Sequence, residues 1–186
     1  VIGALGTHAF DILNWFFGES IRVSSEISTS IKKRTTKNST ELLEVTSEDV
    51  CLANIEIQNY CGSKIPCQIS LSSISRNGRG FCLEIYGREG SLTLKSENQK
   101  DYVHGFNLKF SDKEDKTHNL TADPIFNFEK TWSDGRIAPV KRIQNLWAES
   151  IISGKPIIPG LSEGLISQRV CEAIKKSSES GTSMYI

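Results

Sequence analysis

Three residues in the stretch GTHAFD are of types that move protons or hold hydroxyl groups: Thr7, His8 and Asp11. An imidazole titrates near neutral pH, so a histidine at an accessible helix start can take a proton from a reacting hydroxyl or return one. Asp11 lies three residues on and Trp15 seven on, so in a helix all three share one stripe. A carboxylate there can orient the ring or bond a substrate hydroxyl. Spacing alone leaves two roles open for His8, proton transfer and a structural one. His104 and His118 sit in polar, loop-like stretches without distinctive neighbours.

Other chemistries have no sequence support. There is no G-x-S-x-G nucleophile motif, no Walker loop and no G-x-G-x-x-G between a strand and a helix. GREGSL, from Gly87 to Leu92, lies between two strand patterns and reads as a turn. Neither H-x-x-x-H nor H-E-x-x-H occurs. The five cysteines (51, 61, 67, 82 and 171) are odd in number, form no C-x-x-C and have no nearby histidine, so no metal site is expected. They read as free, mostly buried thiols in a reducing cytoplasm. The two N-x-[ST] matches, at Asn38 and Asn119, are taken as chance.

Lys plus Arg and Asp plus Glu both total 22, so net charge is zero and no footprint for nucleic acid or a membrane surface is expected. The longest apolar run, around Ile12 to Phe17, is far short of the roughly 20 residues that span a bilayer. At 186 residues, with neither a starting methionine nor a leader, the chain reads as one domain cut from a longer protein.

Positioning His8 requires a scaffold. A helix is expected over Thr7–Phe17, with Thr7 as its N-cap and Gly18 as its stop, and with almost no polar face, hence buried on most sides. IRVSSEIST alternates as a strand, and the polar stretch from Lys32 to Asp49 reads as a long hairpin connection or a mobile loop. VCLANIEIQN, IPCQISLSSIS, GFCLEIYG and GSLTLKS come next as strands joined by short Gly-bearing links, which implies an antiparallel meander. A further strand is expected around Phe106–Phe110, before a loop-like SDKEDKTHNLTADP. Two helices close the chain. The first carries Val140, Ile143, Trp147 and Ile151 at helical spacing. The second has Ser162 as its cap and Leu165, Ile166, Val170, Ala173 and Ile174 as its buried stripe. SMYI reads as a short last strand. The expected class is α+β: a multi-stranded, largely antiparallel (mixed) sheet with helices packed on one face, its other face of mixed polarity.

Four segments carry a resemblance. GALGTHAFDILNWFFGE is similar to the G-x-H-x-x-D-x-x-x-W/Y-x-x-G segment of the glucose–fructose oxidoreductase / inositol dehydrogenase (Gfo/Idh/MocA) family. SEDVCLANIEIQNYCGSKIPCQISLS resembles its strand pair and LEIYGREGSLTL its G-x-x-G-x-L hairpin. WAESIISGKPIIPGLSEGLISQRVCEAIKKSSESG resembles its closing helices. The resemblance covers nearly the whole chain. It implies the substrate-binding and oligomerisation half, residues 1–186, of a two-domain NAD(P)-dependent oxidoreductase, with the dihydrodipicolinate-reductase-like C-terminal fold. NAD or NADP would be bound mainly by an N-terminal Rossmann domain of the same protein, and no cofactor-binding residue or metal ligand is expected in this chain. The substrate would be a sugar, polyol or related hydroxyl or carbonyl compound.

By the same resemblance His8 matches the family's general acid/base, and Asp11 and Thr7 are substrate-binding or orienting candidates. Lys141 and Arg142 are candidates for an anionic substrate group, against the plainer reading of a solvated first turn; Trp132 and Asp134 are open in the same way. The family's usual acid four residues before the histidine is Ala4 here. The chain alone is expected to be inactive, and the full-length protein to be a cytoplasmic homo-oligomer assembled through the open sheet face. A non-catalytic assembly or regulatory module derived from the same family is the alternative.

Overall fold

The computed structural model describes residues 1–38, 40–96, 105–124 and 135–186. His104, Trp132 and Asp134 lie outside the described residues. The chain forms two compact units, Val1–Arg76 with Ile158–Ile186, and Asn77–Ile157. The α+β class and the antiparallel pairing are as expected.

The first unit has a four-stranded antiparallel sheet in the order β10-β1-β4-β5. Its strands are β1 (Glu19–Ser28), β4 (Val50–Gln58), β5 (Lys64–Ser72) and β10 (Met184–Tyr185). Alternation decides which face is which, because successive strand residues point to opposite sides. Cys51, Ala53, Ile55 and Ile57 of β4 are buried, with Val23 of β1 beside them. They join Phe10 and Leu13 of helix α1 (Thr7–Phe17) and Val170, Ala173 and Ile174 of helix α3 (Leu161–Ser180) in one core. The opposite face carries Arg22, Asn54, Gln58, Lys64 and Gln68, all exposed, together with the apolar Val50, Leu52 and Pro66. Within this unit the described helices α1 and α3 clothe the face that carries Val23 and Ile55.

Where the two-residue β10 ends, serines of α3 take over the amides of β1. Ser25 N donates to Ser177 Oγ (3.1 Å), Ile27 N to Ser178 Oγ (3.0 Å), and Ser25 Oγ to the Ile174 carbonyl (2.7 Å). These contacts account for the burial of Ser177; the buried stripe of α3 also takes in Ser167 and Cys171, whereas Leu165 is exposed. Apolar spacing does not find a helix that buries serines against a strand. The start of α3 differs too: Gly160 is its N-cap, and its N–H donates to Glu163 Oε2 (2.6 Å), so Ser162 is not the cap.

The polar stretch 32–49 has strands of its own. It holds a small hairpin of β2 (Lys33–Thr35) and β3 (Leu42–Glu44). The expected meander is interrupted after β5: strands β6 (Phe81–Gly87), β7 (Gly90–Ser96), β8 (Asn107–Asp112) and β9 (Thr117–Leu120) form a separate sheet in the order β6-β7-β8-β9. Gly90 is required there by crowding, since a Cβ at its position would lie 2.2 Å from the Ser111 carbonyl oxygen on β8. His118 belongs to β9, not to a loop. Asp112 bonds its ring nitrogen (3.0 Å) and accepts from Glu114 N and Lys116 N, which closes the turn between β8 and β9. Helix α2 (Ile137–Ser153) stops at Gly154, and its apolar stripe of Val140, Ile143, Trp147 and Ile151 is exposed. Cys51 and Cys171 are buried, but Cys61 and Cys82 are exposed, so the thiols are less uniformly buried than their free state implied.

Candidate functional site

The site is built on the helix that carries His8. Residues Ile2–Gly6 form a single π-helical turn running directly into α1. Leu5 N and Gly6 N both donate to the Val1 carbonyl, and Thr7 N to the Ile2 carbonyl. This corrects the expectation for Thr7. Its amide and that of the turn before it are already paired, so there is no open helix end to cap. Its Oγ1 instead donates back to the Gly3 carbonyl (3.1 Å). His8 is therefore one turn inside a continuous helical segment. Single π turns are uncommon and recur at functional sites, because the extra residue re-aims the side chains beyond it.

Crowding explains the glycine two residues before the histidine. A Cβ on Gly6 would approach the Phe10 ring to 2.8 Å and Leu71 Cδ1 to 3.3 Å. Phe10 is fully buried and has little room to yield. At the other end, Asn14 Oδ1 accepts from Ser20 N (3.0 Å) and Ser20 Oγ (2.7 Å), joining the helix to β1. Tyr60 Oη donates to the Trp15 carbonyl (3.2 Å). Only the inner side is buried, through Phe10 and Leu13 in the core, so the helix is not buried on most sides: Trp15 and Phe16 are exposed. The outer side presents His8, with Asp11 half-buried and Trp15 exposed, as the stripe predicted.

Neither His8 nor Asp11 has a hydrogen-bond or ion-pair partner among the described residues. Both are presented to whatever meets this face. Around them lie exposed apolar groups: Leu5, Trp15 stacked on Phe16 with centroids 4.7 Å apart, and the Tyr60 ring. Ala4 is exposed and puts no carboxylate on this face. Thr7, His8 and Asp11 thus share one helix. Lys141 and Arg142 are exposed on α2 in the second unit. No group of three or more His, Cys, Asp or Glu side chains placed to hold a metal occurs among the described residues.

The open face of the first sheet carries a second set of polar groups. Arg22 (3.3 Å) and Lys64 (2.9 Å) both pair with Glu56. The bond from Lys64 holds the Glu56 carboxyl below its ordinary range. A shallow depression of about 460 Å³ runs beside them, lined by Ser24, Asn54, Gln68 and Cys67 among others.

Glu48 is the residue that sequence reasoning missed. Its Oε1 accepts from Ile2 N (2.8 Å), so a side chain just before β4 reaches the first turn of the His8 segment. The two residues are 46 apart, and no local pattern connects them. In the sequence Glu48 is no more than part of the polar SED start of a strand.

The chain matches the model of the oxidoreductase family C-terminal alpha/beta domain (GFO_IDH_MocA_C) over residues 1–186. It is 37% identical over 177 residues to the uncharacterized oxidoreductase sll0816 of Synechocystis sp., covering 95% of this chain and 47% of that protein. Among solved structures it is similar to an NAD binding oxidoreductase from Klebsiella pneumoniae (TM-score 0.74, 21% identity, 100% of this chain and 50% of that one). It is also similar to levoglucosan dehydrogenase in complex with NADH and levoglucosan (0.70, 19%, 98% and 49%). A third is an oxidoreductase from Agrobacterium radiobacter in complex with NAD+, L-tartaric acid and magnesium (0.69, 17%, 100% and 48%). The chain therefore spans about half the length of the proteins it matches.

Proposed function

The chain belongs to the Gfo/Idh/MocA oxidoreductase family, matching its C-terminal alpha/beta domain throughout, and on that premise we propose that it forms the substrate-binding half of an NAD(P)-dependent dehydrogenase with His8 as general acid/base. The observation that carries this reading is the presentation of His8: exposed, without a partner among the described residues, on a helix anchored at both ends and packed underneath. The substrate class is a sugar, polyol or related hydroxyl compound, in line with levoglucosan as the ligand of one structural neighbour.

The described residues contain no strand, Gly-rich loop and helix that would cradle a dinucleotide pyrophosphate, so those residues do not themselves fit that cofactor. The nicotinamide, held by an N-terminal Rossmann domain of the same protein, would supply the hydride acceptor. This chain's own contribution is on the other side of the reacting carbon. His8 takes the hydroxyl proton in oxidation and returns it in reduction, and Asp11, one turn on, bonds a neighbouring hydroxyl or steadies the ring. Thr7, spent on Gly3, serves the helix more than the substrate. Lys141 and Arg142 remain proposals for an anionic substrate group. The exposed Leu5, Trp15, Phe16 and Tyr60 fit a surface that the N-terminal domain covers. The open sheet face, with Arg22, Glu56 and Lys64, is the proposed homo-oligomer contact, and five free cysteines fit a cytoplasmic setting.

The test uses the full-length protein. His8→Ala is expected to lower kcat by about 10²–10⁴-fold on a panel of free sugars and polyols, with NADH affinity by fluorescence titration unchanged. Unchanged turnover refutes the assignment. One observation favours the non-catalytic reading, that Ala4 leaves the face without its second acid; wild-type protein inert on the whole panel, with either nicotinamide, supports it. Calorimetry on the chain alone is expected to find no millimolar NAD or NADP binding.

A further inference from the structure

We propose that Glu48 is a positioning residue for His8, holding the π-helical turn from which the His8 helix grows. The inference rests on the reading of His8 as the acid/base group and adds to it the residue that aims it. The Ile2 peptide is gripped from both sides. Its N–H donates to Glu48 Oε1 (2.8 Å), and its carbonyl accepts from Thr7 N, the amide immediately before His8. The Ile2 side chain is fully buried, so the peptide cannot turn out to find water without pulling that side chain from the core. Thr7 is held a second time through Gly3. Only two residue-to-residue contacts therefore separate the Glu48 carboxylate from the backbone of His8.

Glu48 can aim the helix because it is itself held. Its neighbour Ser47 accepts from Thr29 Oγ1 (3.2 Å). Asp49, on the other side, is buried, donates its N–H to the Ser28 carbonyl (2.9 Å) and accepts from Ser73 N at its own (3.0 Å). Its carboxylate accepts from Ser30 N (2.8 Å) and Ile31 N (2.9 Å). The Glu48 backbone is thus tied to the end of β1 and to the residue after β5, and its side chain carries that fixed point across to the helix. Helices leave their first amides unpaired, and a carboxylate is a strong partner for them, by charge as well as by hydrogen bond. Loss of this acceptor leaves the Ile2 amide unpaired, so the π turn keeps its buried Ile2 side chain but loses the bond that fixes its first amide. An acid/base group displaced by even about 1 Å loses much of its efficiency.

The experiment compares Glu48→Ala, Glu48→Gln and His8→Ala in the full-length protein, on the best substrate of the sugar and polyol panel, well below the unfolding transition. Glu48→Ala is expected to lower kcat by about tenfold with the KM for the nicotinamide unchanged. Glu48→Gln, whose amide oxygen can still accept from Ile2 N, is expected to recover kcat to within about twofold. In NMR spectra of the cofactor-free protein, the His8 ring Cε1–H resonance is expected to move in the Ala variant and stay in place in the Gln variant. Should Glu48→Ala not fold, Glu48→Asp takes its place: the carboxylate withdraws by about 1.5 Å and kcat is expected to fall with KM unchanged. Wild-type kcat in folded Glu48→Ala, or a Gln variant as impaired as the Ala variant, overturns the proposal. An inactive His8→Ala beside a fully active Glu48→Ala removes Glu48 alone, whereas a fully active His8→Ala removes the reading beneath it.

Discussion

Replacing Gly18 by alanine tests how the His8 helix ends. Gly18 sits at φ 118° and ψ −160°, a conformation essentially confined to glycine, and it is the point where the chain leaves α1 for β1. A Cβ there would lie 2.2 Å from the Gln58 carbonyl oxygen and 2.8 Å from Asn59 Cα. Both are backbone atoms at the end of β4, so no side chain can swing aside. Ordinary contact begins near 3.4 Å, so helix end and strand end must separate by more than about 1 Å. The backbone strain costs about 1–3 kcal/mol and the forced separation about 1–3 more, giving about 2–6 kcal/mol in all. Gly62→Ala is the control: its φ is also positive, at 81°, but nothing lies within 4 Å of the added carbon. It should cost only the conformational term, about 1–2 kcal/mol. Urea unfolding followed by circular dichroism measures both. Equal losses for the two variants would show that close approach to β4 contributes nothing, and the account of this helix end would be wrong.

Other outcomes rest on the same contacts. Phe10→Ala, removing a fully buried ring beneath His8, is expected to cost about 3–5 kcal/mol in the same assay, and a loss below about 1 kcal/mol would contradict its place in the core. Hydrogen bonds from Ser30 N and then Ile31 N hold the Asp49 carboxyl below 3.8, its ordinary value. Its contribution is therefore complete above that value and is lost as pH falls through the lower folded value; wild type should lose stability over that acidic window while Asp49→Asn shows a smaller slope there. Burial pushes the Cys51 thiol up to about 11, and it raises Cys171 as well. In the folded protein at pH 8, iodoacetamide followed by mass spectrometry should label exposed Cys61 and Cys82 well before either; early labelling of Cys51 would contradict its burial.

The sequence alone determined the parts whose signals are local. Period-3.6 apolar residues marked α1, alternation marked β1, β4 and β5, and the stripe of His8, Asp11 and Trp15 was legible because helix geometry fixes which residues share a side. The motif order was enough to identify the family. Local signals failed where a partner distant in the chain decides the outcome. Thr7 has the chemistry of a cap, but a π turn before it has already paired the amides it would cap. Ser177 of α3 looks polar in sequence and is interior because β1 needs an acceptor for its Ser25 amide where β10 stops. Polarity concealed β9, whose sequence reads as loop; its turn back from the expected β8 closes through the Asp112 side chain. Gly18 was legible as a stop, but not the reason: the nearness of Gln58, forty residues away in the chain. Glu48 was the least legible of all. A carboxylate that reaches the first turn of a helix across 46 residues leaves no periodicity, and only folding β4 beneath α1 brings the two together.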